Sequence, residues 1–431
     1  MQPIRKASPR PIVATAAILS LLVTAPRPLA ASTRGGPGGP ATRSLLIAGA
    51  TVVDGSGAPG RTASVRIAGE TITAVGTLAP ESTEPVIDGS GLILAPGFID
   101  THSHADNQIF EHPEALADVS QGITTVIVGQ DGGEVYPLSR FFARLRRHPA
   151  AVNVASYAGH GTIRERVLGS DFRRAATPAE VERMSRLLRR ELDAGALGLS
   201  SGLEYDPGIY AAPEELVSLA KVAAAAGGRY ISHIRSEDRW FWSAIDEIIA
   251  IGRQAGLPVQ ISHIKLAMRS SWGQTDTLLK RLDAARASGV EITADVCPYL
   301  YWHSTLTVLF PKRDFEDREE AAFVLREIVA PDGLLMGRFD PDPSYVGLTL
   351  AAIARRRGAE PAATLLDMIH EAERYRARPD QEVEGVIGTS MQEPDVERLI
   401  AWPETNFCTD GQLDGRHPRG FGTYPRILGR Y

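Results

Sequence analysis

Two runs set thirty residues apart, Ile231-Ser232-His233-Ile234-Arg235 and Ile261-Ser262-His263-Ile264-Lys265, repeat one local design. That spacing fits a single unit of strand plus crossover helix, so the repeat puts its two histidines in the same layer of neighbouring parallel strands. From Gly97 onward the chain keeps this rhythm, with short apolar strands alternating with helical stretches. Eight strands are legible: Gly97–Asp100, Ile123–Gly129, Asn153–Ala158, Ala196–Ser200, Arg229–Ser232, Val259–Ser262, Glu291–Val296 and Asn406–Thr409. Eight such units close naturally on themselves, so the expected class is α/β, a (β/α)8 TIM-like barrel over residues 97–431.

The intervening segments fit that plan. Thr177 can cap a helix that has Pro178 in its first turn and Glu180 completing a capping box; Val181, Met184, Leu187 and Leu188 share a face, and Gly195 ends it. A second helix runs through Ile245, Ile248, Ile249 and Gly252 to Gly256. The stretch 306–403, between strands seven and eight, is too long for one crossover and reads as an insertion, helical and partly lid-like. Ahead of the barrel, residues 44–96 show short strands and turns (Leu45–Val53, Ser64–Ala68, Thr71–Val75, Val86–Leu94), the pattern of a small β-domain.

A chain of 431 residues exceeds what one growing core holds, which suits a large domain with a small attachment. The net charge of −6, with no basic block beyond the first residues, argues against nucleic acid as a partner. Arg5, Lys6 and Arg10 precede an apolar run from Ile12 to Val23 and small residues around Ala30–Ser32, the outline of a secretory signal peptide over residues 1–31. A disordered leader or an N-terminal anchor is the alternative. The run is short for a membrane span, so no stable membrane association is expected once the leader is removed. Residues 32–43, including Gly35–Pro40, read as a flexible linker, and the expected location is exported, periplasmic or secreted. With only Cys297 and Cys408, no disulfide framework supports the fold.

His102 and His104 follow strand one in Phe98-Ile99-Asp100-Thr101-His102-Ser103-His104. On extended backbone, residues i and i+2 face one side, so both imidazoles can address one metal ion. A lone His-x-His reads more readily as two hydrogen-bonded or solvated histidines, but this one stands at the C-terminal end of a barrel strand, the face that carries active sites. His233 and His263 end strands five and six on the same face. Either alone would pass for a satisfied core histidine; two at equivalent positions do not. Four neutral imidazoles with a carboxylate describe a zinc-type site with room for water. Asp131, in Gly129-Gln130-Asp131-Gly132-Gly133, and Asp410, in Cys408-Thr409-Asp410-Gly411, end strands two and eight. An Asp-Gly pair by itself is a turn, and it is their placement beside the histidines that adds both to the metal set. A metal lowers the pKa of bound water toward neutrality, and a nearby carboxylate can take that proton and return it to a leaving nitrogen. Asp410 is the candidate for that shuttle.

With these residues in place, the chain resembles the N-acyl-D-amino-acid deacylases (D-aminoacylases) of the amidohydrolase superfamily, from about Leu45 to its end. The resemblance rests on Pro96-Gly97-Phe98-Ile99-Asp100-Thr101-His102-Ser103-His104, Ala158-Gly159-His160-Gly161-Thr162-Ile163-Arg164, Gly198-Leu199-Ser200-Ser201-Gly202-Leu203, both Ser-His-Ile runs, His417-Pro418-Arg419 and Gly422-Thr423-Tyr424-Pro425-Arg426. It implies a TIM-like barrel beside a small β-sandwich, and hydrolysis of small N-acyl-D-amino acids. It also implies one tight zinc site held by Cys, His and His, with a weaker second site at the His-x-His. On this chain, His233 and His263 match the zinc histidines and Asp410 the catalytic aspartate. Lys265 and Arg419 stand where the family places cations for the substrate carboxylate; solvated surface charge is the plainer reading of each. Ser304 matches a substrate-contacting serine, and His160 is a candidate for the pocket.

Three departures stand out. The family's zinc cysteine falls on Asp131, Cys297 stands where a tyrosine is usual, and the chain stops at Tyr431 where family members continue through strands that complete the β-sandwich. One rival reading is a cyclic-amide hydrolase of hydantoinase or dihydroorotase type. It expects a carboxylated lysine on strand four, and Ala196-Leu197-Gly198-Leu199-Ser200-Ser201 offers none. A second rival is a degenerate, non-catalytic binding protein, against which all four histidines and Asp410 are retained.

Overall fold

The structure is a computed structural model that describes residues 44–377 and 381–431. The expected signal peptide and linker, residues 1–31 and 32–43, lie outside the described residues. Contacts divide the chain between Pro96 and Gly97.

The described part of the first unit is one mixed sheet: β1 (Ser44–Val52), β2 (Arg61–Ala68), β3 (Thr71–Gly76), β4 (Val86–Asp88) and β5 (Ile93–Leu94). Its order is β3-β2-β1-β4, with β5 also on β1; β1–β3 are antiparallel, and β4 and β5 run parallel to β1. The single run expected over Val86–Leu94 is two short strands, because the chain turns through Gly89 and Gly91, the latter at φ +77°. A small core of Val52, Ala63 and Val65 holds the sheet.

In the second unit the eight expected strands all form: β6 (Phe98–Asp100), β7 (Ile123–Val128), β8 with its continuation β9 (Asn153–Ser156 and Ala158–Gly159), β10 (Gly198–Gly202), β11 (Arg229–His233), β12 (Val259–Ile261), β13 (Ile292–Val296), and a last strand at Thr405–Phe407. Every pairing among them is parallel. Tyr157 separates β8, which pairs with β7, from β9, which pairs with β10. The ring closes beyond the strand ends, where Asp410 N donates to His102 O (2.8 Å) and His104 N to Gly411 O (2.9 Å). The Thr177 cap forms with both arms of its box, and Gly256, at φ +66°, ends the helix Phe241–Ala255. The interior between barrel and helices is mainly aliphatic, with Leu199, Ile245, Ile261 and Ile292 inaccessible to solvent.

The insertion differs from expectation. It begins at Tyr301 rather than Leu306, and it is built on an antiparallel sheet of β14 (Tyr301–Ser304), β15 (Leu334–Phe339) and β16 (Glu384–Thr389) in the order β14-β16-β15. The barrel's last strand is therefore β17. Helices Leu350–Arg357 and Pro361–Tyr375 pack with this sheet around Leu334, Met336, Leu365 and Val386. Helical periodicity in Ala351–Tyr375 dominated the sequence, whereas each strand is only four to six residues long. Among the described residues no helix is long and apolar enough to cross a membrane.

Candidate metal centre and cleft

Each candidate ligand sits at the C-terminal end of a barrel strand. His233 closes β11; His102 and His104 follow β6, Asp131 follows β7, His263 follows β12 and Asp410 follows β17. Their side chains converge in two groups that share Asp131. The ligand atoms of His102, His104, Asp131 and Asp410 all lie within 4.8 Å of one another, as do those of Asp131, His233 and His263. Oδ1 of Asp131 is 3.6 Å from Nε2 of both His102 and His263, and its Oδ2 is 3.5 Å from Nε2 of His104. Oδ1 of Asp410 is 3.2 Å from His104 Nε2.

Three of these positions hold a backbone that side-chain-bearing residues seldom adopt: φ is +53° at Asp131, +33° at His263 and +49° at Asp410. Such residues cost about 1–3 kcal/mol each and persist where the surroundings impose them. At Asp131 those surroundings are visible, since a Cβ on Gly202 would fall 2.2 Å from the Asp131 carbonyl oxygen. Only glycine there lets the Asp131 turn settle against β10.

The residues fit a metal. Both ring nitrogens of His102 and Oδ1 of Asp131 are buried without a hydrogen-bond partner, a state that costs about 1–3 kcal/mol per group unless something satisfies it. Imidazole nitrogens and carboxylate oxygens are the donor set of a zinc-type ion. The electrostatics agree. Burial pushes the His104 imidazole down, but the Asp131 and Asp410 carboxylates outweigh it and set its pKa to about 9. Burial and the Lys265 ammonium push His263 down, and Glu237, Asp410 and Asp131 outweigh both, to about 10. Burial pushes the Asp410 carboxyl up, yet Arg419 and the imidazoles hold it well below the usual carboxylate range.

Three carboxylates that sequence reasoning missed stand behind the imidazoles. Glu204 Oε2 is 2.9 Å from Nε2 of His233, Glu237 Oε1 is 2.9 Å from Nδ1 of His263, and Asp295 Oδ2 faces Nδ1 of His102 at 3.7 Å. Partners of this kind fix the ring orientation and the tautomer of a metal ligand. Asp295 also accepts from the His263 backbone N–H at 2.6 Å and from Gln260 Nε2 at 2.7 Å. It had a readable signal, a charged residue inside the short strand Ile292–Val296, whose other members are uncharged. Glu204 and Glu237 lie in loops, where only the fold reveals what they face.

The cluster opens into a cleft of about 1210 Å³ lined by barrel loops and by the insertion. Lys265, Arg419 and Ser304 all line it, and both cations are only 7% exposed, which excludes the reading as surface charge. Lys265 Nζ is 2.5 Å from Glu237 Oε1, and Arg419 Nη1 is 2.5 Å from Asp410 Oδ2. His160 is a correction. It is fully buried, is not in the cleft wall, and bonds Glu215 at 2.8 Å; Arg164 grips the other Glu215 oxygen at 2.5 Å and donates to Pro207 O. His160 is the first residue of the helix His160–Leu168 rather than the end of a strand, and its ring and Arg164 together hold Glu215 and the loop after β10. Cys297 and Cys408 are free thiols with sulfurs 3.4 Å apart.

Comparison with known proteins agrees with this geometry. Residues 85–332 match the amidohydrolase family model. N-acyl-D-glutamate deacylase of Alcaligenes xylosoxydans xylosoxydans is 35% identical over 413 residues, 90% of this chain and 78% of that protein. The crystal structure of N-acyl-D-glutamate deacylase from Bordetella bronchiseptica, complexed with zinc and a phosphonate mimic of the tetrahedral intermediate, superposes with a TM-score of 0.77 at 33% identity, covering 90% of this chain and 80% of that one. A D-aminoacylase structure with a binuclear metal centre gives 0.77 at 32%, covering 91% and 81%. Breadth of match decides the matter, not any single motif: the chain belongs to the D-aminoacylase family of the amidohydrolase superfamily and is a metal-dependent hydrolase of linear amide bonds.

Proposed function

We propose that this protein hydrolyses the amide bond of N-acyl-D-amino acids, releasing a carboxylic acid and a D-amino acid, with zinc as its metal. The observation that carries the reading is that the ligand cluster and two nearly buried cations, Lys265 and Arg419, face one cleft. A substrate with a hydrolysable amide next to a carboxylate suits that pairing, and the relatives named D-aminoacylase and N-acyl-D-glutamate deacylase support the acyl and D assignments. Asp131, His233 and His263 would hold the tight ion; His102 and His104, with Asp131 and Asp410, would hold a weaker second.

Zinc held by these residues would supply Lewis acidity, polarising a carbonyl oxygen and bringing the pKa of water near neutrality. Asp410 would serve as the proton shuttle, taking a proton from the attacking water and returning it to the leaving nitrogen. Arg419 keeps Asp410 ionised before the reaction, and Lys265 and Ser304 orient the substrate. A panel of N-acetylated D- and L-amino acids, their amidated forms and cyclic amides, assayed after chelation and after zinc is restored, tests this reading. Preferred turnover of N-acyl-L substrates or cyclic amides, or full activity without metal, overturns it.

Two further parts of the proposal concern the N-terminal region. The small β-domain is read as one layer of a β-sandwich, supported by apolar residues its sheet exposes, among them Ile72 and Ile93. Export is supported by Arg5, Lys6, Arg10 and the run Ile12–Val23; N-terminal sequencing of protein recovered outside the cytoplasm tests it.

A further inference from the structure

Glu237 is held from two sides before its carboxylate does anything. Four residues past His233, its backbone N–H donates to Glu204 Oε1 at 2.9 Å, and its carbonyl oxygen accepts from Ala267 N at 3.2 Å. The carboxylate so fixed is shared, with Oε1 lying 2.5 Å from Lys265 Nζ and 2.9 Å from His263 Nδ1. Lys265 Nζ is itself 2.8 Å from His263 Nδ1. One ring nitrogen thus has two rival partners.

The rivals demand opposite things. An ammonium only donates and a carboxylate only accepts. A metal ligand must first give up the extra proton that its carboxylate neighbours favour; in the neutral ring that results, Nδ1 accepting from Lys265 leaves the remaining proton on Nε2, the nitrogen that faces Asp131 Oδ1 at 3.6 Å and His233 Nδ1 at 3.1 Å. A metal ligand needs a lone pair there. When Nδ1 donates to Glu237 instead, Nε2 presents that lone pair. Glu237 and Lys265 therefore select different tautomers of His263.

We propose that Glu237 is a positioning residue that sets His263 in the metal-holding tautomer, and that Lys265 competes with it until a substrate carboxylate draws the ammonium away. This rests on the reading of the cluster as a zinc centre and of Lys265 as the carboxylate-binding cation. It makes recognition of the carboxylate strengthen the metal site, so a substrate lacking that group loses twice, in binding and in the state of His263.

The test is the zinc dissociation constant of the full chain, measured with zinc chloride against a chromophoric chelator, with no substrate present. Glu237→Gln should weaken zinc by about tenfold or more, the range known for removing a partner behind a ligand histidine. Lys265→Met should stay within about threefold of the parent or tighten, because Glu237 then has no rival. Since that variant leaves a buried carboxylate without its cation, the neutral double variant Glu237→Gln/Lys265→Met is measured beside it and should also be weaker by about tenfold or more. Isocaproate, but not isocaproamide, should tighten zinc in the parent and fail to do so in Lys265→Met. A loss below tenfold in Glu237→Gln or in the double variant, equal losses in the two single variants, or no difference between the two probes in the parent overturns the proposal. A parent that binds zinc but hydrolyses no N-acyl amino acid refutes the proposed reaction alone, so the two failures are distinguishable.

Discussion

Arg419 and Asp410 form an ion pair of 2.5 Å at the mouth of the barrel, with side chains only 8% and 6% exposed. Asp410 is thereby kept as a carboxylate next to the ligand cluster, which is what a proton acceptor requires. Asp410→Asn should keep zinc bound through Asp131, His233 and His263 while lowering turnover by about two to four orders of magnitude. Steady-state kinetics with metal content measured on the same sample decides this, and near-normal turnover removes Asp410 from the proton transfer.

The same pair predicts a metal-dependent stability effect. Arg419→Met leaves a buried carboxylate without its cation, which costs about 3–5 kcal/mol in the metal-free protein. In the zinc-loaded protein the ion supplies positive charge to the same carboxylate, so the loss should be smaller. Urea unfolding of parent and variant, each with and without zinc, compares the two; equal losses in both states would show that Asp410 does not face the metal.

Asp131 is shared by the two ligand groups, and it stands where the resemblance implies a zinc cysteine. Asp131→Ala should lower metal content and activity together. Asp131→Cys should bind zinc more selectively against harder ions, because a thiolate is the softer donor, and should retain turnover. Elemental analysis after dialysis against mixed divalent ions measures this. A full metal complement in the alanine variant would leave the histidines and Asp410 as the only ligands.

Glu134 predicts a pH dependence outside the ligand set. Burial, aided by the neighbouring Glu191 carboxylate, raises its pKa from 4.5 to about 9. The folded protein thus holds a proton on Glu134 that the unfolded chain releases above its ordinary carboxyl pKa. Stability from this group is complete below about pH 4.5 and falls as pH rises toward 9, with a slope of up to about 1.4 kcal/mol per pH unit. Glu134→Gln should remove that slope. Unfolding free energies of parent and variant from pH 5 to pH 9 should diverge steadily in favour of the variant, and parallel curves would contradict the assignment.

The sequence by itself determined the barrel and the residues that gather at the ends of its strands. Strand-and-helix periodicity is local, and it places the repeated Ser-His-Ile runs, the His-x-His and the two Asp-Gly pairs at strand ends on one face, so His102, His104, Asp131, His233, His263 and Asp410 were all legible as candidates. What only the tertiary structure decided was which groups stand behind them. Glu204, Glu237 and Asp295 come from three different βα units, and nothing in the spacing of their letters says which imidazole each will face. His160 failed for the converse reason: its motif is local and clear, but the residue opens a helix instead of ending a strand, and its ring bonds Glu215 rather than lining the cleft. The sheet of the insertion was hidden because β14, β15 and β16 are short and pair across long stretches of chain. Local patterns carry element type and strand ends; partnership between distant side chains depends on closure of the ring, which no single segment encodes.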